Sequence, residues 1–428
     1  MRDAGDDGGI TEAVRALGGG PLTESALREH AWPLFSRVRR ETEGLIYLAN
    51  HSLGRPLDRT SQDIQLAVDR WYTELGDAWG AWMDLQFAYR AQMARLIGCS
   101  RPDAIVPKTS VAQGLRAVIN ALPTARPRIL STRGEFDSVD HVLKTYHHKG
   151  RAEVTFVEGN ADGAFDGKEI AGRIDGGIDL VVVSMTMFVT GQVLPHLDRV
   201  IARARDVGAP IVLDSYHAAG VMPISFDDLD ADFMMGGNYK YTRGGPGACW
   251  LAINPRHLGE GGTPACDSMF TLDTGWFAKR EPFAYDRSVA VDLAAGGDAW
   301  MEATPPILTY AQAMAGLELT NAIGLDRLRA YSLEQQHRLE GLLSETGVET
   351  TRVAIEGQDP PRHGAYVLIP TTDAKALLSA MEDHKIIADG RPCPTTGRWY
   401  VRLCPDLLTA DGELERTAQV LAELAAAV

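Results

Sequence analysis

Two stretches decide the fold: VLDSYHAAG at residues 212–220 and DFMMGGNYKYTRGGPG at 232–247. In the first, Ile211, Val212 and Leu213 read as a buried strand with Asp214 at its carboxyl end, and His217 follows three residues on. In the second, an apolar strand ends just before Asn238-Tyr239-Lys240-Tyr241, after which Arg243-Gly-Gly-Pro-Gly reads as a tight turn. In open α/β sheets ligands bind at the carboxyl ends of the strands. An aspartate and a lysine delivered to that edge by separate strands can face opposite ends of one flat heterocycle. This is what pyridoxal phosphate requires: a carboxylate keeps the pyridine nitrogen protonated, and an amine forms the Schiff base. On spacing alone the plainer alternative is an aspartate capping a loop and a solvated lysine.

Working outward, apolar strands alternate with helical stretches. The expected strands lie at 128–131, 153–157, 180–184, 211–214, 233–236 and 248–253, and the helices between them at 138–147, 167–174 and 197–207. Strands apolar on both faces and separated by helices imply a largely parallel sheet covered on both sides. Ahead of this region, helical periodicity runs over 23–43, a short strand over 45–49, and amphipathic helices over 61–75 and 87–97. Between the last two, GDAWGAWMDL sets two tryptophans among glycines and reads as a loop. Beyond Pro305 a long helical run, 307–323 and on to 345, leads into alternating strands and a last helix at 414–427. The first twenty residues read as a flexible or loosely packed arm. The expected units are 1–58, the arm and part of a small domain; 59–306, the large domain; and 307–428, the remainder of a smaller α+β unit.

The composition suits a soluble enzyme: 428 residues, 45% hydrophobic and 23% charged. A net charge of −15 makes nucleic acid a poor partner. Five dispersed cysteines (Cys99, Cys249, Cys266, Cys393, Cys404), with no CxxC spacing, argue against a disulfide framework or a zinc site. With no apolar leader and no stretch long enough to span a bilayer, a cytoplasmic protein is expected.

The 212–247 block resembles the class V aminotransferase-like group of fold-type-I enzymes, and kynureninases above all. That family carries Asp-x-x-His-Ala at the strand end and Tyr-Lys-Tyr at the cofactor lysine. The resemblance runs from Ile46 to the end. It implies an α/β fold, with a large domain on a mostly parallel seven-stranded sheet plus a smaller α+β domain. It implies pyridoxal 5'-phosphate held by Lys240 as the catalytic lysine, with Asp214 on the ring nitrogen and His217 beside it. Thr109 and Ser110 (KTSVAQGL) and Tyr239 would bind the phosphate, Phe136 (RGEFDSVDH) would stack on the ring, and Ser184 (VVVSMTMFVTGQ) would lie near it. Trp276 (TGWF) and Thr304 (EATPPIL) would reach the cofactor from the neighbouring subunit of a homodimer. Arg402 (WYVRLCPDLL) would bind the α-carboxylate of an amino-acid substrate. His51, at the family's Asn position, and Ser52 (IYLANHSLGRP) would face the substrate, as would Asp77 at the family's pocket histidine.

The implied activity is hydrolytic Cβ–Cγ cleavage of a kynurenine-like substrate to alanine and an aromatic acid. The departures gather where the aryl ketone would sit. They are Asp77, Thr304 after Ala303, Met187 and Val189 in the TGQ segment, Ala278-Lys279 after TGWF, and an acidic residue after Phe136 that is either replaced by Val139 or shifted to Asp140. Transamination, β-elimination or epimerisation of another amino acid is the alternative on the same scaffold. Desulfuration would need a cysteine on a mobile loop, for which only Cys393 stands out. A non-catalytic relative would have lost Lys240 or Asp214, and both are present.

Overall fold

A computed structural model describes residues 8–259, 269–285, 287, 291–358 and 362–426. Cys266, residue 427 of the expected last helix and the first seven residues of the arm lie outside the described residues. The strands, in chain order, are β1 (Ile46–Tyr47), β2 (Ile105–Lys108), β3 (Arg128–Thr132), β4 (Glu153–Val157), β5 (Leu180–Ser184), β6 (Ile211–Asp214), β7 (Phe233–Gly237), β8 (Cys249–Ile253), β9 (Val367–Thr371), β10 (Ile386–Ile387), β11 (Asp389–Pro392) and β12 (Trp399–Leu403).

Seven of them form one sheet in the order β2-β8-β7-β6-β5-β3-β4. Only β8 opposes the rest, pairing antiparallel with both β7 and β2. Every residue of β5, β6, β7 and β8 is buried, as near-continuous apolar strands covered on both faces must be. The sequence pattern misses β2: it has four residues, and Pro107 interrupts them. Proline removes a ladder donor and is tolerated here because β2 is an edge strand. Register brings the chemistry to one edge, since Ser184 pairs with Asp214 and Asp214 with Met235, five residues before Lys240.

A second, antiparallel sheet, β11-β12-β9, and the short parallel pair β1-β10 belong to a smaller α+β unit. Its core unites Leu48, Leu339, Val367, Met381, Val401 and Leu414. The chain thus has the fold-type-I α/β architecture.

Four local readings need correction. The stretch 23–43 is not one helix but Glu24–Ala26, a π turn Leu27–Ala31, a 3-10 turn Trp32–Phe35 and Ser36–Glu41. Pro33 lacks the N–H and crowds the preceding turn, so the α-helical ladder cannot run through it. GDAWGAWMDL is not a loop, because a helix covers Ala78–Ile97. Gly80 costs that helix about 1 kcal/mol, and Trp79 and Trp82, three apart, meet edge to face at 5.4 Å on one side of it. The run 307–345 is two helices, Ile307–Ile323 and Leu325–Glu345, parted at Gly324 with φ 92°. Nor is residue 8 onward a loose arm: the helix Ile10–Ala16 buries Ile10 in a cluster with Leu17, Leu27, Trp32 and Leu319. Among the described residues no helix is long and apolar enough to cross a membrane.

Candidate active site

β6 ends in Asp214, and the next turn of chain is pinned by the Tyr216 N–H, which donates to the Asp214 carboxylate at 2.8 Å. That turn carries His217 back over the sheet edge. β7 ends at Gly237, and Lys240 follows on the turn closed by the Arg243 N–H to the Lys240 carbonyl. The two turns meet: the Lys240 amine lies 2.5 Å from His217 Nε2. It also lies 5.5 Å from the Phe136 ring centre, 4.8 Å from that of Tyr216 and 5.7 Å from that of Tyr239.

Lys240 and Asp214 are each only 5% exposed. Burial, then the nearby Arg402 charge, brings the lysine down to about 7. Burial pushes Asp214 up to about 6 against the opposing pull of the Tyr216 N–H and Lys240. His217 falls well below its ordinary value through burial, with the Lys240 and Arg402 charges adding to it. A neutral amine at physiological pH is a usable nucleophile and proton acceptor.

Ser184 ends β5, and its hydroxyl donates to Glu135 at 2.6 Å; the Thr132 hydroxyl donates to the same carboxyl at 2.7 Å. Glu135 is 2% exposed, and burial lifts it to about 7 despite those donors, with Asp214 adding to the rise. Sequence reading passed over Glu135. It also left the acidic residue after Phe136 open between Val139 and Asp140. Val139 lies in the core and Asp140 forms an ion pair with Lys144 along its helix, whereas Glu135, just before Phe136, is a second buried acid beside Asp214.

The phosphate turn is built as a helix start. Ser110 caps Val111–Ile119 by accepting the Gln113 N–H, and the Thr109 N–H donates to Gln113 Oε1 at 2.7 Å. This turn adjoins the lysine cluster through Cys249, which pairs with Lys108 in the sheet, accepts the Val111 N–H and lies 3.7 Å from the Tyr216 hydroxyl. Tyr216 in turn packs on Tyr239, ring centres 5.1 Å apart. Backbone N–H groups at a helix N-terminus suit a phosphate.

On the other side stands Arg402, on β12 directly opposite Asp389 of β11. It donates to Asp389 at 2.6 Å and to the Phe188 carbonyl, and its Nε has no hydrogen-bond partner among the described residues. The Ser52 hydroxyl donates to the same Asp389 oxygen at 2.9 Å. His51, with no exposed surface, lies against Tyr366 at 4.8 Å and 6.5 Å from the His217 ring. Asp389, like Tyr216 and Tyr366, escaped the sequence reading.

The fit to pyridoxal phosphate rests on these contacts: a buried amine, a buried carboxyl with one donor, a phenyl face and a helix start share one edge. Three expected residues lie elsewhere in the chain. Trp276 joins an aromatic cluster with Phe277, Phe283 and Tyr285. Thr304 lines a cleft with Trp71, Trp79 and Trp82, and Asp77 sits exposed on the 3-10 turn Leu75–Asp77.

Comparison with known proteins gives the same picture. The family model described as aminotransferase class-V matches residues 80–394. A kynureninase of Salinispora tropica is 26% identical over 365 residues, covering 81% of this chain and 83% of its own length. One from Geobacillus thermodenitrificans is 24% identical over 393 residues, 89% of this chain and 88% of its own. Among solved structures, the apo cysteine desulfurase of Thermococcus onnurineus NA1 superposes with a TM-score of 0.76 at 20% identity, covering 92% of this chain and 98% of that one. The cystine C–S lyase C-DES, in complex with its product cysteine persulfide, gives 0.76 at 18%, covering 90% and 99%.

Proposed function

The chain belongs to the aminotransferase class-V family and its cofactor is pyridoxal phosphate, and from that premise we propose that it is a kynureninase-type hydrolase, cleaving Cβ–Cγ of a kynurenine-like amino acid to alanine and an aromatic acid. Lys240 would hold the cofactor covalently, Asp214 its ring nitrogen, and Phe136 its face, with Ser184 and His217 beside it. Thr109, Ser110 and Tyr239 would hold the phosphate, and Trp276 and Thr304 would be contributed by the second subunit of a cytoplasmic homodimer. When bound, the cofactor supplies an electron sink for the pair released at the substrate Cα.

The remaining tasks fall to side chains. Arg402 would receive the α-carboxylate: its Nε is a buried donor with no partner among the described residues, and a guanidinium matches a carboxylate in charge and shape. A substrate anchored by Arg402 would present its Cα to Lys240, whose amine feels the Arg402 charge. Lys240, held near neutrality by burial, takes the Cα proton and can return it. His51 and Ser52 would line the substrate side, and Asp77, at the family's pocket histidine, would face the substrate.

The observation that supports this reading is the burial of Lys240 and Asp214 at the edge of the large sheet together with Arg402, buried on the small one. The desulfurase likeness is of fold, and Cys393 is buried in an apolar cluster with Ala164 and Tyr400. The test is incubation of the purified enzyme with kynurenine and 3-hydroxykynurenine, following anthranilate-type fluorescence and alanine. Release of both products in equal amounts is expected. Spectral change with other amino acids and no cleavage of these two would replace hydrolysis by a transaminase, β-lyase or epimerase reaction.

A further inference from the structure

Resting on the hydrolytic reading, we propose that His51, oriented by Asp389, is the base that deprotonates the water attacking the substrate's side-chain carbonyl. In the step, the water oxygen bonds to Cγ, the C=O π pair moves onto the carbonyl oxygen, and the water proton passes to His51 Nδ1. The carbonyl then re-forms as Cβ–Cγ breaks with its pair left on Cβ, which takes up the proton held by His51, and Cγ departs as the carboxylic acid.

His51 is fully buried, yet neither ring nitrogen has a hydrogen-bond partner among the described residues. A buried imidazole without partners costs free energy unless something completes it. Its Nε2 faces Asp389 Oδ2 at 3.7 Å. That carboxylate is fixed by two donors, Arg402 at 2.6 Å and Ser52 at 2.9 Å, and by an ion pair with Arg391 at 3.1 Å. A carboxylate on the Nε2 side favours the tautomer protonated there and leaves the Nδ1 lone pair free. This is how an orienting acid prepares an imidazole base.

The other groups facing the ring are Lys240 and His217 from the strand edge and Arg402 and Arg391 from the small sheet. Burial first, then these charges, keeps His51 well below its ordinary value, so the ring is neutral and its lone pair unprotonated. Lys240 and His217 already engage each other at 2.5 Å, which leaves His51 as the unengaged base beside Arg402. The family's amide at this position could orient a water but could not take its proton.

The test compares two reactions of the cofactor-loaded enzyme: product release from a kynurenine, and exchange of the Cα hydrogen of alanine in heavy water, which requires no attacking water. In His51→Gln, kcat for cleavage should fall about a hundredfold with little change in KM, and exchange should fall less than tenfold. His51→Asn, a smaller amide, should behave alike and guards against a folding defect in the first. Cleavage within threefold of the parent in either variant overturns the proposal. So does an equal loss of cleavage and exchange, which would mean a general disturbance of the site. If the parent exchanges Cα hydrogen but cleaves no aryl ketone, the hydrolytic reading has failed, and the base role falls with it.

Discussion

The edge around Lys240 and the wall around His51 and Asp389 meet at His217 but are built from different materials. Asp214 and Lys240 leave fully buried strands whose register fixes them relative to Ser184. His51, Ser52, Asp389 and Arg402 hang on the small unit, where β1 and β10 have two residues each. There they are held mainly by one another's charges. The regions touch at Gly54, whose N–H donates to the Tyr239 carbonyl at 2.8 Å and whose missing side chain makes room for the Lys240 carbonyl. On the proposed function, the cofactor would sit on the fully buried strands of the large sheet and the substrate's carboxylate on the small one. Damage to the first should abolish chemistry, and damage to the second should change which molecule is used.

The largest expected effect is at Lys240. Lys240→Ala should lower turnover by about 10⁴-fold and abolish the borohydride-reducible adduct with pyridoxal phosphate, seen as the loss of its mass increment on the intact protein. Asp214→Asn removes only the charge. A loss on the order of 10²- to 10³-fold in kcat, with a shifted absorption band of the bound cofactor, is expected, and near-normal turnover would disprove its ring-nitrogen role. Arg402→Gln sits on the other side of the comparison. Losing a charged hydrogen bond of about 1.5–3 kcal/mol should raise KM roughly tenfold to a hundredfold and leave the cofactor spectrum of the free enzyme unchanged. A changed spectrum would show that the two regions are less separate than drawn here.

The same division explains what could be read from the chain. The strand-end residues were legible because a buried parallel strand has a plain signature, an apolar run closed by one polar residue, and IVLD and LVVVS both end that way. Arg402 was placed through resemblance, since an arginine on a strand has no distinguishing pattern. Asp389 and Glu135 were not legible: each meets a residue that only the fold brings near, Arg402 13 residues on across the β11–β12 pair and Ser184 across 49 residues. The edge strand β2 was hidden by Pro107, and the Trp79 helix by glycines that usually mark loops.

Glu135 offers the smallest and most specific test of how rigid the strand edge is. Its folded-state value, about 7, lies above the ordinary 4.5, raised by burial first. The fold therefore favours the protonated form, and the stabilisation is complete below about 4.5. Between 4.5 and 7 the unfolded chain ionises while the folded one keeps its proton, so stability falls as pH rises and levels off above 7. Glu135→Gln keeps an acceptor for Thr132 and Ser184 but cannot ionise. In the cofactor-free protein, the Tm of the parent should therefore drop by a few degrees more than that of Glu135→Gln between pH 4.5 and 8. Asp214, also raised, is present in both proteins, so the difference reports Glu135 together with its repulsion from Asp214. Parallel Tm curves for the two proteins would mean that the edge relaxes enough to solvate the charge, and the contrast between the buried strand edge and the charge-held wall would lose its clearest support.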